Sequence, residues 1–461
     1  MTVQTARHPM GGTAGLQRGR QAPASSVVDR YAILLALPFC YVSILLPVAA
    51  YSDRVAVLVV NLAPNIADRV FWPAYALLCF AVALRDRARL AAFLRAPHVR
   101  PMIAYMLLAG ASVLWAVKPE FVLTRIAGQT FILLGLCSMA AVAPRQSNLA
   151  RALFLAFAFG ALLNGIYVAE QSSSVNLADF AGFRGYFGEK NGLGFFSAFA
   201  FLLALTQARG SKLNIALVIA VLCGAAYLLI ISRSKGALAF AIASPALAWL
   251  LLKLHARTRI PPAAFILVCV ALFFLLNAMV GNLVSRISWY VYGNPTLSNR
   301  TVIWDFVSGM STHKPWLGFG YRAFWLVSSD LFGSIKAPEW VKVMPHGHNG
   351  YLDVRAELGY AGILILAYFL IKVCNMLGEV ARVDYWRAWY LLTIAVFVML
   401  INLVESSWFR GADPIWMIFM FVVVETGRAW VSMKAERRPL HPPAPQLPAG
   451  QRPVRGMARA S

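Results

Sequence analysis

The sequence predicts an all-α polytopic membrane protein with about 12 transmembrane helices and a large outer loop between helices 9 and 10. Of its 461 residues, 60% are hydrophobic and only 13% are charged, with a mean hydropathy of +0.65. A soluble protein carries about 25% charged residues, so this chain lacks the charge to cover a water-facing surface. Two further observations support the prediction: the apolar residues fall in long runs, and the basic residues concentrate in alternate connecting segments.

Twelve apolar runs approach the roughly 17 to 25 residues that a helix needs to cross a bilayer. The first has no small-residue cleavage site, so we interpret it as a span rather than a signal peptide. In chain order the runs lie near residues 31–51, 70–84, 101–117, 121–143, 149–168, 192–208, 213–231, 236–252, 262–281, 360–378, 388–404 and 413–431.

The charge distribution predicts the sidedness of these spans. With the N-terminus inside, the inner segments carry a net charge of +20 and the outer segments +3. Positive charge on the inner side indicates that both termini are cytoplasmic. The total of +23 would suggest a nucleic-acid partner in a soluble protein. Here the basic excess lies in short loops and tails at the inner membrane surface, which indicates membrane lipids as partners and no nucleic acid.

The domain organisation follows from composition. Residues 1–28 are rich in Gly, Arg and Ser, and 433–461 are Pro-rich, so both are expected to be disordered cytoplasmic tails. Residues 29–432 form one transmembrane domain that includes the outer loop 282–359. Because five tryptophans are too many for a disordered linker, we expect this loop to fold against the outer membrane face. The six cysteines all lie in apolar stretches without metal-ligand spacing, so we expect neither disulfides nor a structural metal.

Several polar residues share the outer side and are candidates for chemistry. Arg125 lies within a span, where an arginine is costly and normally faces a cavity or a partner. Arg184 and Arg233 follow or precede glycine and serine in short loops without matching acids, a pattern that indicates a bound anion. Cations at helix ends usually extend to the lipid headgroups. We expect this of Lys235, Arg286, Lys314 and Arg410.

His348 is the candidate general base. Asn349 can serve as the N-cap of a helix that begins GYLDVRAEL, so His348 lies immediately before the positive end of the helix dipole, which disfavours imidazolium. A neutral imidazole is what a general base requires near pH 7. The alternative is a surface histidine in a solvated loop. The neighbouring glycines and the arginines on the same membrane side favour the base.

These motifs resemble those of the O-antigen ligase and O-antigen polymerase superfamily. His348, Asn349, Gly359 and Gly362 are similar to its pattern H-[NSQ]-x9-G-x-x-[GTY]. The resemblance covers spans four to eleven, about two thirds of the chain. It continues through RGYFGEKNGLG (184–194), SRSKGAL (232–238), NRTVIW (299–304), PWLGFGY (315–321), and Asn402 with Glu405. The stretches WAVKPEFVLTR (115–125) and KNGLG (190–194) resemble the exopolysaccharide polymerase branch.

The resemblance implies glycan transfer from an undecaprenyl-diphosphate carrier to an acceptor at the periplasmic face of the bacterial inner membrane. It makes residues 29–432 a glycosyltransfer domain and 282–359 a periplasmic loop. His348 would be the catalytic base, and neither a metal nor a cofactor is expected. The residues expected to bind the diphosphate are Arg184 and Arg233, followed by Arg125, Arg300 and Lys190. The supporting residues are Asn349, Asn191 and Glu405.

The sequence departs from the family at Glu189, where many relatives carry His or a similar residue beside the Lys-Asn pair, so we do not assign Glu189 to catalysis. A single displacement would invert the anomeric centre, since no paired carboxylates indicate a retaining double displacement.

Three functions stay open. The polymerase branch favours joining lipid-linked repeat units into exopolysaccharide or O-antigen, with a glycan or lipid-linked acceptor and a chain-length regulator as a candidate partner. A ligase that transfers glycan to lipid A core would use the same donor. A lipid or ion transporter is the alternative of another class. Two observations argue against it: the ionisable groups cluster at one face, and the sequence has no internal repeat.

Overall fold

The computed structural model describes residues 28–52, 66–172, 181–207, 212–326, 338–342 and 344–436. These residues form helices and connecting segments, with no strand among them. The all-α prediction is therefore confirmed. The two expected disordered tails lie almost entirely outside the described residues.

The helices succeed one another along the chain with short connections, and several begin at a capping residue. Asp29 and Asp384 each accept a hydrogen bond from a first-turn N–H, and Pro119 occupies the first turn of its helix. In chain order the α-helices are α1 Arg30–Cys40, α2 Leu46–Ser52, α3 Ile66–Ala83, α4 Arg87–Leu94, α5 Val99–Ala111, α6 Pro119–Val142, α7 Leu149–Ser172, α8 Lys190–Thr206, α9 Lys212–Ile231, α10 Lys235–Thr258, α11 Pro262–Val280, α12 Leu283–Tyr292, α13 Arg300–Ser311, α14 Glu339–Lys342, α15 Gly350–Ala381, α16 Tyr385–Ile401 and α17 Pro414–Glu436. A π-helical turn, Tyr41–Leu45, joins α1 to α2.

Each of the twelve predicted runs coincides with an apolar helix. By length and composition, 9 of these helices in the described part are long enough to cross a membrane. The other three are shorter apolar helices of 10–17 residues: Val99–Leu114, Lys190–Thr206 and Tyr385–Ile401. The chain is thus a multi-pass membrane protein, although Val99–Leu114 is shorter than the roughly 17 residues that a bilayer crossing requires and the other two are at that limit.

The most buried of these long apolar helices is α17, where 83% of the residues in its most apolar stretch are buried inside the protein. By contrast, only 6% of the corresponding stretch of α11 is buried, so that helix lies at the periphery with its apolar side chains outward. An exposed apolar helix is stable in lipid, where it needs no protein partner.

The described part of the 282–359 segment is folded, in agreement with the prediction from its tryptophans. Helices α12, α13 and α14 lie in it, and α13 packs on the first turns of α15. Their apolar side chains form a small core that is separate from the main one. Its buried members are Ile303, Phe306, Val307, Met310, Phe319, Phe324, Val341 and Ala356.

A break at Gly359 divides α15 into an outer part and a long apolar span. Gly359 has φ 65° and ψ −161°, which are not helical values. The segment that follows α13 approaches the break and binds it: the N–H groups of Phe319 and Gly320 donate to the carbonyls of Ala356 and Glu357, at 2.9 and 2.8 Å. Carbonyls that would lack a partner at a helix end are therefore satisfied.

A buried ion pair network joins helices that are distant in the chain. Glu425 accepts from Arg387 at 2.5 Å and also from Arg428. Arg428 additionally donates to the carbonyls of Pro144 and Ser147, both at 2.8 Å. This network links α16 and α17 to the turn between α6 and α7.

The break predicts that Gly359→Ala is strongly destabilising. A Cβ at this position would lie 2.2 Å from the carbonyl carbon of Trp316, and the positive φ alone costs a non-glycine residue about 1–2 kcal/mol. The matched control is Gly309→Ala in α13, where an added Cβ meets nothing within 4 Å. Thermal unfolding of the purified proteins should show a clear decrease for Gly359→Ala and little change for Gly309→Ala. Equal melting temperatures would contradict the steric argument.

Candidate functional site

A cavity of about 990 Å³ lies where the outer segment, residues 282–359, meets the helix bundle. Its wall is contributed by α3, α6, α8, the segment around His348 and the turn between α16 and α17. Charged and aromatic residues both line it. Of the predicted site residues, Arg125, His348 and Glu405 line this cavity.

Glu405 brings together three other predicted site residues. Its Oε2 contacts Nδ1 of His348 at 3.0 Å. Its Oε1 accepts from Nη2 of Arg300 at 2.8 Å and from Nδ2 of Asn191 at 3.3 Å. Because a carboxylate can only accept hydrogen bonds, the proton of the neutral imidazole lies on Nδ1. Nε2 of His348 therefore retains its lone pair.

The position of His348 is determined by the residues that follow it. Asn349 caps α15 as predicted: its side chain accepts from the N–H groups of Tyr351 and Leu352, both at 3.1 Å. Its own N–H donates to Oγ of Ser406 at 3.0 Å. The N–H of Gly350 donates to the carbonyl of Glu405 at 2.8 Å, so the start of α15 is attached to the turn that carries Glu405.

The loops of Arg184 and Arg233 lie side by side. The N–H of Phe183 donates to the carbonyl of Ile231 at 3.2 Å, and a Cβ at Gly182 would lie 2.3 Å from the carbonyl oxygen of Ser232. Both arginines are exposed, and neither lines the cavity. The structure thus brings these two candidates together, next to the site rather than within its wall.

Asn191 connects the arginine loops to the His348 network. Its Oδ1 accepts from Oγ of Ser234 at 3.0 Å, while its Nδ2 donates to Glu405. Lys190, the neighbouring candidate, donates from Nζ to the carbonyl of Ala181 at 3.0 Å. That contact links Lys190 to the loop that carries Arg184.

Arg125 lies at a different part of the cavity wall. Its Nη1 donates to the carbonyl of Arg322, and its charged neighbours are Arg322, Glu357 and Arg410. The structure therefore does not bring Arg125 to the His348–Glu405 pair, although all line the same cavity.

The prediction that Arg410 extends to the lipid headgroups is wrong. Nη2 of Arg410 lies 2.6 Å from Oδ2 of Asp353 and 3.2 Å from Oε1 of Glu357; both acids are buried, and the Arg410 side chain is 11% exposed. Residues four apart on a helix share a face, so the two acids on α15 converge on one guanidinium. Asp353 also accepts from the N–H of Gly347 at 3.0 Å and from Nε1 of Trp325 at 2.9 Å.

His346, which was not among the predicted site residues, also lines the cavity. Its ring centroid lies 4.2 Å from that of His348. Burial lowers the pKa of His346 well below its usual value, and the charges of His348, Arg410 and Arg300 lower it further. The neutral imidazole is therefore the favoured form of His346 near pH 7.

Glu189 also faces this group, despite its exclusion from the predicted site. Desolvation and the negative charge of Glu405 raise the pKa of its carboxyl, against the opposing effects of His348 and Arg300. The protonated form of Glu189 is thus favoured relative to that of a solvated glutamate.

His346, His348 and Glu405 offer three ligand atoms that all lie within 4.8 Å of one another, an arrangement that could hold a metal ion. Two imidazoles and a carboxylate are a common donor set for zinc or iron. Both oxygens of Glu405 already accept hydrogen bonds, from His348, Arg300 and Asn191. A metal ion would have to displace these partners, so the geometry fits the hydrogen-bonded pair better than a metal centre.

Comparison with known proteins supports the O-antigen ligase family. Residues 193–367 match the family model described as O-antigen ligase, less than half of the chain, and this segment contains Arg233, Arg300 and His348. A "Putative polysaccharide ligase" of Rickettsia felis is 24% identical over 112 residues, which are 24% of this chain and 28% of that protein. Another of the same description, from Rickettsia conorii, is 27% identical over 97 residues, 21% of this chain and 23% of its own length. The chain thus aligns with about a quarter of these relatives. The resemblance to the O-antigen ligase family is confirmed.

The site geometry predicts that His348→Ala lowers the rate of the glycan transfer expected from the family resemblance by about 10²–10⁴-fold, the contribution of a positioned base. His346→Ala should retain most activity, since His346 makes no hydrogen bond to Glu405 among the described contacts. Transfer rates of the two purified variants provide the measurement, with equal yield of inserted protein as the control. Wild-type activity in His348→Ala would remove the base assignment.

Proposed function

We propose that this O-antigen ligase-family protein polymerises undecaprenyl-diphosphate-linked oligosaccharide repeat units into exopolysaccharide or O-antigen at the periplasmic face of the bacterial inner membrane. The family match and the relatives support the broader statement, a membrane protein that processes glycans as a ligase or polymerase. The observation that carries the proposal is the His348–Glu405 pair, at 3.0 Å, in the wall of a cavity beside two arginine loops.

The proposed reaction begins with proton removal by Nε2 of His348. As the acceptor hydroxyl loses its proton to this nitrogen, its oxygen attacks the anomeric carbon of the donor sugar. The new carbon–oxygen bond forms while the bond from that carbon to the diphosphate oxygen breaks, and the electron pair leaves with the diphosphate. Glu405 stabilises the imidazolium that forms, by the same logic as the acid of a catalytic triad. One displacement inverts the anomeric centre.

Arg300 is best assigned to Glu405 rather than to the diphosphate. Its Nη2 already donates to Glu405 at 2.8 Å, and both side chains are mostly buried. We therefore propose Arg300 as a positioning residue that holds the carboxylate, with Asn191 on the same oxygen. Asn349 supports His348 through the cap of α15.

Arg184 and Arg233 are proposed to hold the leaving diphosphate. A guanidinium can donate two parallel hydrogen bonds to phosphate oxygens, and it stabilises the charge that grows as the glycosyl bond breaks. Their adjacent, exposed loops allow both to contact one diphosphate, and Asn191 links these loops to Glu405. Lys190 supports the same loop through its contact with Ala181.

A ligase is the second candidate function. The matched family model and both relatives are described as ligases, which favours lipid A core as the acceptor. The donor, the base and the diphosphate residues would be the same in both reactions. The acceptor alone distinguishes them, and the resemblance of residues 115–125 and 190–194 to the polymerase branch is our reason to prefer the polymerase.

We expect the reaction to proceed without a divalent metal, and Lys to replace Arg poorly at the diphosphate residues. Lys cannot reproduce the planar fork of the guanidinium, so Arg184→Lys and Arg233→Lys should each lose at least tenfold in rate. Arg286→Lys, on the exposed surface of α12, is the matched control and should keep full activity. Rates are compared with and without EDTA. Complete loss with EDTA, restored by zinc or magnesium, would instead favour a metal at His346, His348 and Glu405.

The polymerase proposal predicts a ladder of products. Purified protein supplied only with undecaprenyl-diphosphate repeat units should form progressively longer lipid-linked glycans, resolved by gel or mass spectrometry. The His348→Ala protein serves as the negative control. If the ladder is absent and glycan appears only after lipid A core is added, the ligase function replaces the polymerase and the catalytic assignments stand.

A further inference from the structure

We propose that Arg125, Arg322 and Gln129 form a second anion site in the cavity wall, separate from Arg184 and Arg233, that binds an acidic group of the acceptor substrate. This inference rests on the proposed function for the identity of the acceptor. The ligand chemistry is a phosphate or carboxylate, which could come from the diphosphate of a lipid-linked acceptor or from an acidic sugar.

Gln129 offers an unused donor to the cavity. Its side chain is 0% exposed to bulk solvent, and its Oε1 accepts from the N–H of Gly411 at 2.8 Å. Only the oxygen of the amide can accept from an N–H, so this contact fixes the orientation of the group. Nε2 is thereby directed away from Gly411 and has no hydrogen-bond partner among the described residues. A buried amide donor without a partner costs about 1–3 kcal/mol, which an anionic ligand would recover.

Arg322 is a second unused donor at the same wall. Its Nε is buried and likewise has no hydrogen-bond partner in the described part of the chain. Its backbone has φ 52°, a left-handed conformation that is unfavourable for a side chain with a Cβ. Nη1 lies near Gly411, since a Cβ at that glycine would be 3.6 Å from it. Arg322 and Gln129 thus approach the same glycine from two elements.

Arg125 completes the group from α6. Gln129 lies one helical turn after Arg125, so the two side chains share a face of that helix. Nη1 of Arg125 donates to the carbonyl of Arg322, which binds the two arginines to each other through the backbone rather than through an acid. The guanidinium is a member of the cavity wall.

The acids near this group are already occupied. Asp353 and Glu357 contact Arg410, at 2.6 and 3.2 Å. Oδ1 of Asp413 accepts from the N–H groups of Ile415 and Trp416 at the start of α17, both at 2.9 Å.

The electrostatic balance at Arg322 agrees with an unneutralised cation. Burial and the positive charge of Arg410 lower the pKa of Arg322, and these effects exceed the opposing ones of Glu357 and Asp413. Arg125 and Arg322 both line the cavity, and neither forms an ion pair with a described acid. An anion from solution or substrate is the missing counter-charge.

The experiment measures binding of inorganic pyrophosphate to the purified full-length protein by calorimetry. The first site is removed with the double variant Arg184→Gln and Arg233→Gln, which should still bind pyrophosphate at the second site. Adding Gln129→Glu should weaken the remaining binding at least tenfold, because the new carboxylate keeps an oxygen for Gly411 and replaces the donor with a negative charge. Adding Arg322→Gln should do the same, and Arg322→Lys should bind with intermediate affinity. Arg286→Gln is the surface control, and the melting temperature monitors the fold.

Competition identifies the source of the anion. Displacement of pyrophosphate by glucuronate at the second site would assign it to an acidic sugar, and resistance to glucuronate would assign it to a diphosphate. The proposal is overturned if the folded Gln129→Glu and Arg322→Gln proteins bind as tightly as their parent, or if the parent double variant binds no pyrophosphate. These outcomes do not depend on the ladder assay, so a ligase would not be mistaken for the absence of the site.

Discussion

The carboxylate of Glu405 is the interaction on which the geometry of the site depends. It contacts residues from three distant parts of the chain, Asn191 at the start of α8, Arg300 at the start of α13 and His348 before α15. Each of these residues lies in or just before the first turn of a helix, so the carboxylate also holds the starts of three helices together. A charge that is mostly buried needs such partners, because removal of one leaves the others uncompensated. The site therefore lies where the outer segment is attached to the helix bundle.

The break at Gly359 explains how one helix can serve both regions. The nine residues before it include Asp353 and Glu357, which both contact Arg410. The residues after it form the long apolar part of α15. Without the change of backbone direction, the acids and the span would follow one continuous helical axis. The bend lets the acidic face meet the cavity while the apolar face remains in the bundle.

Local signals predicted much of the fold. The apolar runs identified every spanning helix, and Asn349 was correctly predicted as an N-cap because a cap depends on neighbours two or three residues away. The environment of Arg410 was predicted wrongly because its two acids lie more than fifty residues earlier in the chain. Local sequence spacing cannot predict a contact over that separation. The anion cluster was missed for the same reason: Arg125 was visible as an arginine within a span, but Arg322 comes from a turn in the outer segment. Tertiary contacts, not local pattern, distinguish a cation at a headgroup from one in a cavity wall.

The left-handed backbone at Arg233, Arg322 and His348 has a consequence for how the protein tolerates change. These are three of the nine non-glycine residues with positive φ in the described part of the chain, and all three carry proposed functions. Glycine would adopt the same conformation without the strain of about 1 kcal/mol or more per position. It would also remove side-chain contacts, such as that of His348 with Glu405, and would raise the conformational entropy of the unfolded chain. The effect of glycine on stability at these positions is therefore a balance of opposing contributions.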